Sequence, residues 1–226
     1  NGGSSQIEFH VEPDGAAVFE KNDLSGNYYY TSNSESSSTG GVGSIEFESN
    51  GNVVGYERVL DGTKRNCGGG RSPFNTWISC EENFVSGYVW EVSPSGAFMG
   101  RKTNLVPGPG NYESVAYQFI PSLGANGGNV YYITEDKPTG PLVQFTPSSD
   151  FNTRDELIST GSHKFLKLGS SGTSGAFSWE PNFSDANPDL YQGAEGISIK
   201  DGFLFFVAKF AKKLFVLNLS AGTFTR

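Results

Sequence analysis

The sequence predicts an all-β protein, built as a β-propeller or a propeller fragment with about four to five blades of short antiparallel strands. The 226 residues include 30 glycines, 18 phenylalanines and 10 tyrosines but one methionine, a composition that favours strands and turns. No window shows a sustained helical period of apolar residues. Many short strands fit a sandwich, barrel or propeller, and the recurrence of strand, glycine-rich turn and strand at blade-like spacing favours the propeller.

Apolar alternation and turn dipeptides mark the strands of the first half. The pair Asn50-Gly51 predicts a tight hairpin, and Pro94-Ser95-Gly96 predicts a second one. Residues 32–41 are rich in serine and have the composition of a flexible linker. The predicted strands of this half are 7–11, 16–20, 27–31, 44–48, 53–60, 76–80, 87–92, 97–102 and 112–117.

The second half repeats the pattern. A short helix is predicted near residues 152–157, and residues 178–192 are predicted to be irregular. The predicted strands are 129–134, 142–146, 164–168, 195–199, 203–209, 214–218 and 223–225. Residues 1–226 are therefore interpreted as one domain. We expect it to be part of a longer chain, because it begins without methionine and stops just after a strand-like segment.

Residues 65–83 concentrate the most unusual chemistry. Glycines 68–70 can bring backbone N–H groups close to an anion, between the cations Arg65 and Arg71. A strand over 76–80 would place Cys80 and Glu82 on one face, which is half of a plausible metal site. The alternative is a disulfide between Cys67 and Cys80, and the sequence leaves both open.

Further carboxylates recur where loops meet strands. In a propeller, such positions in successive blades converge on the central channel, so residues distant in sequence could assemble a site for several metal ions. The carboxylates in question are Glu35, Glu81, Glu82, Glu113, Glu135, Asp136 and Glu195.

The net charge of −8 argues against nucleic acid, whose phosphates need a basic surface. No apolar run approaches the length of about 20 residues that spans a bilayer. The acidic balance, two glycosylation sequons at Asn182 and Asn218, and the cysteine pair all fit a secreted protein.

Several motifs resemble those of the PhoX-type alkaline phosphatases, which are secreted proteins with a β-propeller core. The longest is Asn66-Cys67-Gly68-Gly69-Gly70-x-Ser72-Pro73-x-x-Thr76-Trp77-x-x-Cys80-Glu81-Glu82. Shorter elements follow the family's order over about residues 6–217: Asn33-x-Glu35, Tyr112-Glu113, Thr134-Glu135-Asp136 and Ala194-Glu195-Gly196. The chain departs from the family at Phe74-Asn75, Tyr112 and Ala194, and it is shorter than the six-bladed enzymes.

The resemblance implies a secreted or periplasmic metal-dependent phosphatase that hydrolyses small phosphate monoesters with a calcium and iron centre. It makes Cys80, Glu113 and Glu195 the expected iron ligands. It makes Glu35, Glu82, Glu135 and Asp136 calcium ligands or neighbours of ligands, with Arg65 or Arg71 stabilising the developing charge. The alternative is a non-catalytic extracellular propeller for adhesion, binding or surface assembly, with calcium at most structural or no metal at all.

Overall fold

The computed structural model describes residues 8–226. The chain is all-β with antiparallel pairing, which confirms that part of the prediction. The helices of this range are short 3₁₀ turns at Arg154–Leu157, Phe183–Asp185 and Pro188–Leu190, the first within the predicted helical segment. None of these helices has the length and apolarity needed to cross a bilayer.

The first sheet is a four-stranded meander in the order β1-β2-β3-β4. The predicted Asn50-Gly51 hairpin joins its last two strands, with Gly51 at a φ of 90°, a value that favours glycine. The strands are β1 (Pro13–Glu20), β2 (Tyr28–Ser34), β3 (Gly41–Phe47) and β4 (Val53–Leu60).

Three further groups of strands follow in chain order. The second group is β5 (Asn66–Arg71), β6 (Trp77–Gly87), β7 (Val89–Val92) and β8 (Arg101–Lys102). The third is β9 (Gly110–Ile120), β10 (Gly128–Glu135), β11 (Val143–Pro147), β12 (Gly161–Leu168) and β13 (Ser174–Glu180). The fourth is β14 (Ala194–Lys200), β15 (Phe203–Ala208), β16 (Lys213–Asn218) and β17 (Thr223–Thr225).

Hydrogen bonds join the second, third and fourth groups edge to edge into one 13-stranded sheet, whereas the first group is a separate four-stranded sheet. Strand β13 pairs with both β12 and β17, and β6 pairs briefly with β9. The first strands of the four groups lie side by side, since β1 contacts β5, β5 contacts β9 and β9 contacts β14. Within the described residues the larger sheet is not closed: its strands follow one path from β14 to β8, and β5 branches from β6.

Apolar side chains fill the spaces between successive groups. Phe19 and Val42 of the first sheet pack with Trp77 and Val92 of the second. A second cluster joins strands β6 and β7 to the third group, and a third cluster joins the third group to the fourth. Burial of these clusters fixes how the sheets stack, and therefore which strand ends come together.

Five local predictions differ from the structure. Residues 97–100 of the predicted strand 97–102 lie in the connection between β7 and β8. Residues 8–12 form no strand, and residue 7 of that predicted strand lies outside the described residues. Strand β13 is not among the predicted strands, and it includes residues 178–180 of the segment predicted to be irregular. The serine-rich segment is not a linker, because residues 32–34 belong to β2 and Ser36 is buried. Glycines 68–70 lie in strand β5 rather than in an anion-binding turn.

Candidate metal centre

Carboxylates from all four groups of strands converge at one end of the sheets. In antiparallel pairs, the start of one strand and the end of the next lie at the same edge. Asp14, Cys67, Glu113 and Glu195 stand near the starts of β1, β5, β9 and β14. Glu35 and Asp136 directly follow β2 and β10, and Glu82 lies on β6 level with the start of β5.

The ligand atoms at this end form two groups that share one thiol. Cys67 Sγ, Glu82 and Glu113 offer ligand atoms within 4.8 Å of one another, and so do Cys67, Asp14 and Glu35. The thiol donates a hydrogen bond to Asp14 Oδ2 at 3.2 Å. Burial, reinforced by Glu113 and Asp14, raises the pKa of Cys67 well above its ordinary value. Both cysteines are free thiols, so the alternative disulfide is not formed.

Two carboxyl groups of the cluster have strongly raised pKa values. Burial raises the pKa of Glu113 to about 8, and the neighbouring Glu195, Glu82 and Asp14 add to the effect. Burial and the adjacent Asp136 carboxylate raise the pKa of Glu82 to about 7. A bound cation would favour the charged forms and so reverse both shifts.

Lys209, directly after β15, supplies positive charge at the edge of the cluster. Its ammonium binds Asp136 Oδ2 and, at 2.8 Å, Glu195 Oε1. Partial burial lowers the pKa of Lys209, but these two hydrogen bonds outweigh it and raise the pKa above the ordinary lysine value. The lysine therefore stays charged and neutralises part of the acidic cluster.

The donor set fits the calcium and iron that the resemblance implies. Carboxylate oxygens are the ligands that Ca²⁺ prefers, whereas a thiolate suits iron and other transition metals. Asp136 Oδ1 is also buried without a hydrogen-bond partner among the described residues. A buried carboxylate oxygen normally accepts a hydrogen bond, so this atom is available as a further oxygen ligand for a cation beside Glu82.

Five of the seven predicted metal ligands lie at this end. Glu35, Glu82 and Glu113 belong to the two ligand groups. Asp136 and Glu195 lie beside these two groups, and the ammonium of Lys209 binds both of their carboxylates. Glu135 does not belong to either group: its carboxylate binds Lys137 Nζ at 2.5 Å and accepts the Asn111 backbone N–H.

The cysteine that lies among the carboxylates is not the predicted one. The strand pattern favours Cys80, but its side chain is fully buried in an apolar cluster with Ile78 and Val89. Burial raises the pKa of this thiol, and the charges of Glu113 and Glu81 add to the rise. Cys67 instead lies among the carboxylates. Glu81, on the other face from Glu82, is also buried, and it accepts hydrogen bonds from Lys64 N, Tyr88 N and Trp90 Nε1. That role is structural.

The two arginines lie at opposite ends of β5. Burial and the Asp14 carboxylate raise the pKa of Glu35, and the nearby Arg65 guanidinium opposes this rise. Arg71 is also a predicted catalytic residue, but its guanidinium lies over the Phe19 ring at 4.9 Å and binds Asn75. The length of β5 separates it from the cluster.

Sequence reasoning misses Asp14 and Lys209 and gives Cys67 only a disulfide role. The sequence around Asp14 indicates a turn, although Asp14 also stands where a loop meets a strand, and the rule applied to the other carboxylates would include it. Lys209 directly follows a strand, as Asp136 does. The sequence gives no comparable signal for Lys209. A carboxylate at a strand end indicates a metal ligand, whereas a charged lysine does not bind a metal ion.

Comparison with known proteins gives one family match, which covers part of the site. A family model described as "Alkaline phosphatase PhoX" matches residues 2–87, a segment that contains Asp14, Glu35, Cys67 and Glu82. A search of curated proteins gives no significant match.

The fold is similar to that of Pseudomonas fluorescens PhoX in complex with vanadate, a transition state analogue, with a TM-score of 0.70 at 14% identity. The match covers 96% of this chain and 66% of that chain, so this chain spans less than the full length of PhoX. The family match over residues 2–87 and the shared fold together confirm the resemblance to the PhoX-type alkaline phosphatases.

Proposed function

We propose that this chain is part of a secreted or periplasmic metal-dependent phosphatase that hydrolyses small phosphate monoesters at a calcium and iron centre. The observation that carries the proposal is the thiol of Cys67 within 4.8 Å of ligand atoms of Glu82 and Glu113. The match of the PhoX family model to the segment containing Cys67 supports it.

The four groups of strands are proposed to be blades of a propeller, with the acidic cluster at its channel. Two observations support this arrangement. Each group begins with a strand that contacts the first strand of the next group, as the inner strands of blades would. The site residues also lie at the same end of each group, which is the placement that a shared channel requires.

Cys67, Glu82 and Glu113 are the proposed ligands of a transition metal, with iron the metal that the resemblance implies. Asp14, Glu35 and Glu195 are proposed to complete the oxygen ligands, and Asp136 lies next to Glu82. When bound, the cations would supply Lewis acidity toward the phosphoryl oxygens of the substrate.

The positively charged side chains near the cluster have a role different from that of the metal ions. A phosphate ester is an anion, and an acidic cluster without sufficient positive charge would repel it. Arg65 and Lys209 are the proposed groups that offset this repulsion, because both act electrostatically on Glu35 at the edge of the cluster. An arginine also presents paired donors that suit phosphate oxygens.

The test combines metal analysis with turnover of p-nitrophenyl phosphate by the full-length protein. We expect iron and calcium in the purified protein, and hydrolysis that a chelator abolishes. Replacement Glu113→Gln should lower kcat at least about 100-fold, because it removes a buried anionic ligand. Glu57→Gln, an exposed carboxylate on β4, is the matched control and should retain full activity.

The alternative is a non-catalytic extracellular binding propeller, which the departures from the family's motifs at Phe74-Asn75, Tyr112 and Ala194 favour. It predicts calcium without iron and no turnover of the ester. Iron content with no measurable hydrolysis would contradict the phosphatase proposal while leaving the metal centre in place.

A further inference from the structure

Strand β5 carries a β-bulge at Cys67. Asn66 lies opposite Glu81 of β6, but Gly69 lies opposite Ser79, so three steps along β5 correspond to two along β6. The extra residue takes the Cys67 and Gly68 carbonyls out of regular pairing with β6. A bulge of this kind redirects side chains, and here the redirected side chain is the thiol.

The side-chain amide of Asn33 satisfies both displaced carbonyls. Its Nδ2 donates to Cys67 O at 2.7 Å and to Gly68 O at 2.6 Å. Its Oδ1 accepts from Trp77 Nε1 and from Ser79 Oγ, each at 2.8 Å. Asn33 is fully buried, and these four hydrogen bonds use the whole capacity of an amide.

The backbone that carries this amide belongs to the first sheet, because Asn33 lies in β2 opposite Val42 of β3. Its position is therefore set by the first sheet, while all four of its partners lie on β5 and β6 of the second. Ser79 Oγ in turn accepts from Asn66 Nδ2 at 2.8 Å. The bulge is thus held from both sides by a fully paired buried network.

We infer that Asn33 is a positioning residue for the thiol: its amide stabilises the bulge that directs Cys67 Sγ toward Glu82 and Glu113. This inference rests on the proposed metal centre and on Cys67 as its ligand. Without the amide, two buried carbonyls lose their donors, and β5 can shift toward regular pairing. A change of register by one residue would turn Cys67 to the other face of the strand.

The test measures thiolate ligation directly, using Co²⁺ bound to the full-length protein and its sulfur-to-cobalt charge-transfer absorption. Asn33→Asp keeps the size of the side chain and its acceptors but replaces the donor to the two carbonyls with an oxygen. We expect Co²⁺ affinity to fall about 10- to 100-fold, and the charge-transfer absorption per bound ion to decrease.

Asn187→Asp is the matched control. Asn187 also donates to a backbone carbonyl, Leu168 O at 2.7 Å, but it lies in the connection between β13 and β14. Its replacement should leave Co²⁺ affinity and absorption unchanged. A folded Asn33→Asp protein that matches the wild type in both measurements would overturn the inference, as would a wild type whose cobalt spectrum lacks a thiolate band.

If Asn33→Asp does not fold, Ser79→Ala decides the question. It removes the hydrogen bond to Asn33 Oδ1 and the one from Asn66 Nδ2 in the same network, and it leaves the two donor bonds of Asn33 intact. A several-fold loss of Co²⁺ affinity supports the inference, and an unchanged affinity overturns it. Neither measurement depends on phosphate ester hydrolysis. A wild type that binds Co²⁺ through Cys67 without hydrolysing the ester therefore contradicts only the proposed function.

Discussion

At the scale of single residues, the two cysteines lie on neighbouring strands in contrasting surroundings. Cys67 Sγ contacts carboxylates, and its bulge turns it toward the converging strand ends. Cys80 is fully buried among apolar side chains. The two thiols therefore offer a direct comparison of a proposed metal ligand with a core residue.

Replacing each cysteine by serine should separate metal binding from stability. Cys67→Ser should abolish the sulfur-to-metal absorption and most of the iron content, because a hydroxyl is a poor ligand for iron. Cys80→Ser should retain both but lower the free energy of unfolding by about 1–3 kcal/mol, since it buries a hydroxyl in an apolar cluster. Metal analysis and urea denaturation of both variants check the prediction. Iron loss in Cys80→Ser alone would reverse the assignment.

At the scale of elements, the glycines of β5 serve close packing rather than anion binding. A Cβ at Gly70 would lie 2.1 Å from the carbonyl oxygen of Val115 on β9, and one at Gly69 would lie 2.1 Å from that of Ile78 on β6. At Gly68 a Cβ would lie 2.7 Å from Glu113 Oε1. The absence of side chains lets β5 approach both strands, and so brings Cys67 to Glu113.

Gly70→Ala should therefore be strongly destabilising. The added methyl group must displace backbone at Val115, and overpacking of this kind costs about 1–3 kcal/mol or more. Gly55→Ala is the matched control, because Gly55 lies in strand β4 and a Cβ there would have no neighbouring atom within 4 Å. We expect that change to stay within about 0.5 kcal/mol. Equal free energies of unfolding for the two variants would refute the close-packing role.

At the scale of the whole molecule, the packing of four groups of strands gathers charges that the unfolded chain keeps apart. The pKa of Glu113 rises from 4.5 to about 8, mainly through burial, and that of Glu82 rises to about 7. Between the ordinary pKa of 4.5 and the raised values, these two carboxyl groups keep their protons in the folded protein but have lost them in the unfolded chain. The contribution of the two groups to the free energy of unfolding is therefore full below pH 4.5, and it is lost as the pH rises through about 7 for Glu82 and about 8 for Glu113.

Metal-free protein should lose stability between about pH 5 and pH 8, with Glu113 contributing on the order of 3–5 kcal/mol. Urea denaturation in the presence of a chelator measures this slope. Glu113→Gln should flatten it, Glu57→Gln should preserve it, and added Ca²⁺ should restore stability at pH 8 by binding the ionised carboxylates. A slope that is unchanged in Glu113→Gln would show that this carboxyl does not titrate as described.

Local chemistry explains why most strands, the Asn50-Gly51 hairpin and the placement of carboxylates at strand ends were predictable. Alternation and turn residues act over a few positions, and antiparallel pairing then puts successive strand ends at one edge. The same reasoning selected Glu35, Glu82 and Glu113, which the structure brings to one end of the sheets around Cys67.

The choice of Cys67 over Cys80, the inclusion of Asp14 and Lys209, and the exclusion of Arg71 required the tertiary structure. Each depends on contacts between sheets, such as the Cys67–Asp14 hydrogen bond, whose partners stand 53 positions apart. A one-residue bulge in β5 turns the thiol toward the carboxylates, and the amide that satisfies this bulge comes from another sheet. Strand periodicity does not contain that information, because the bulge interrupts the alternation on which it relies.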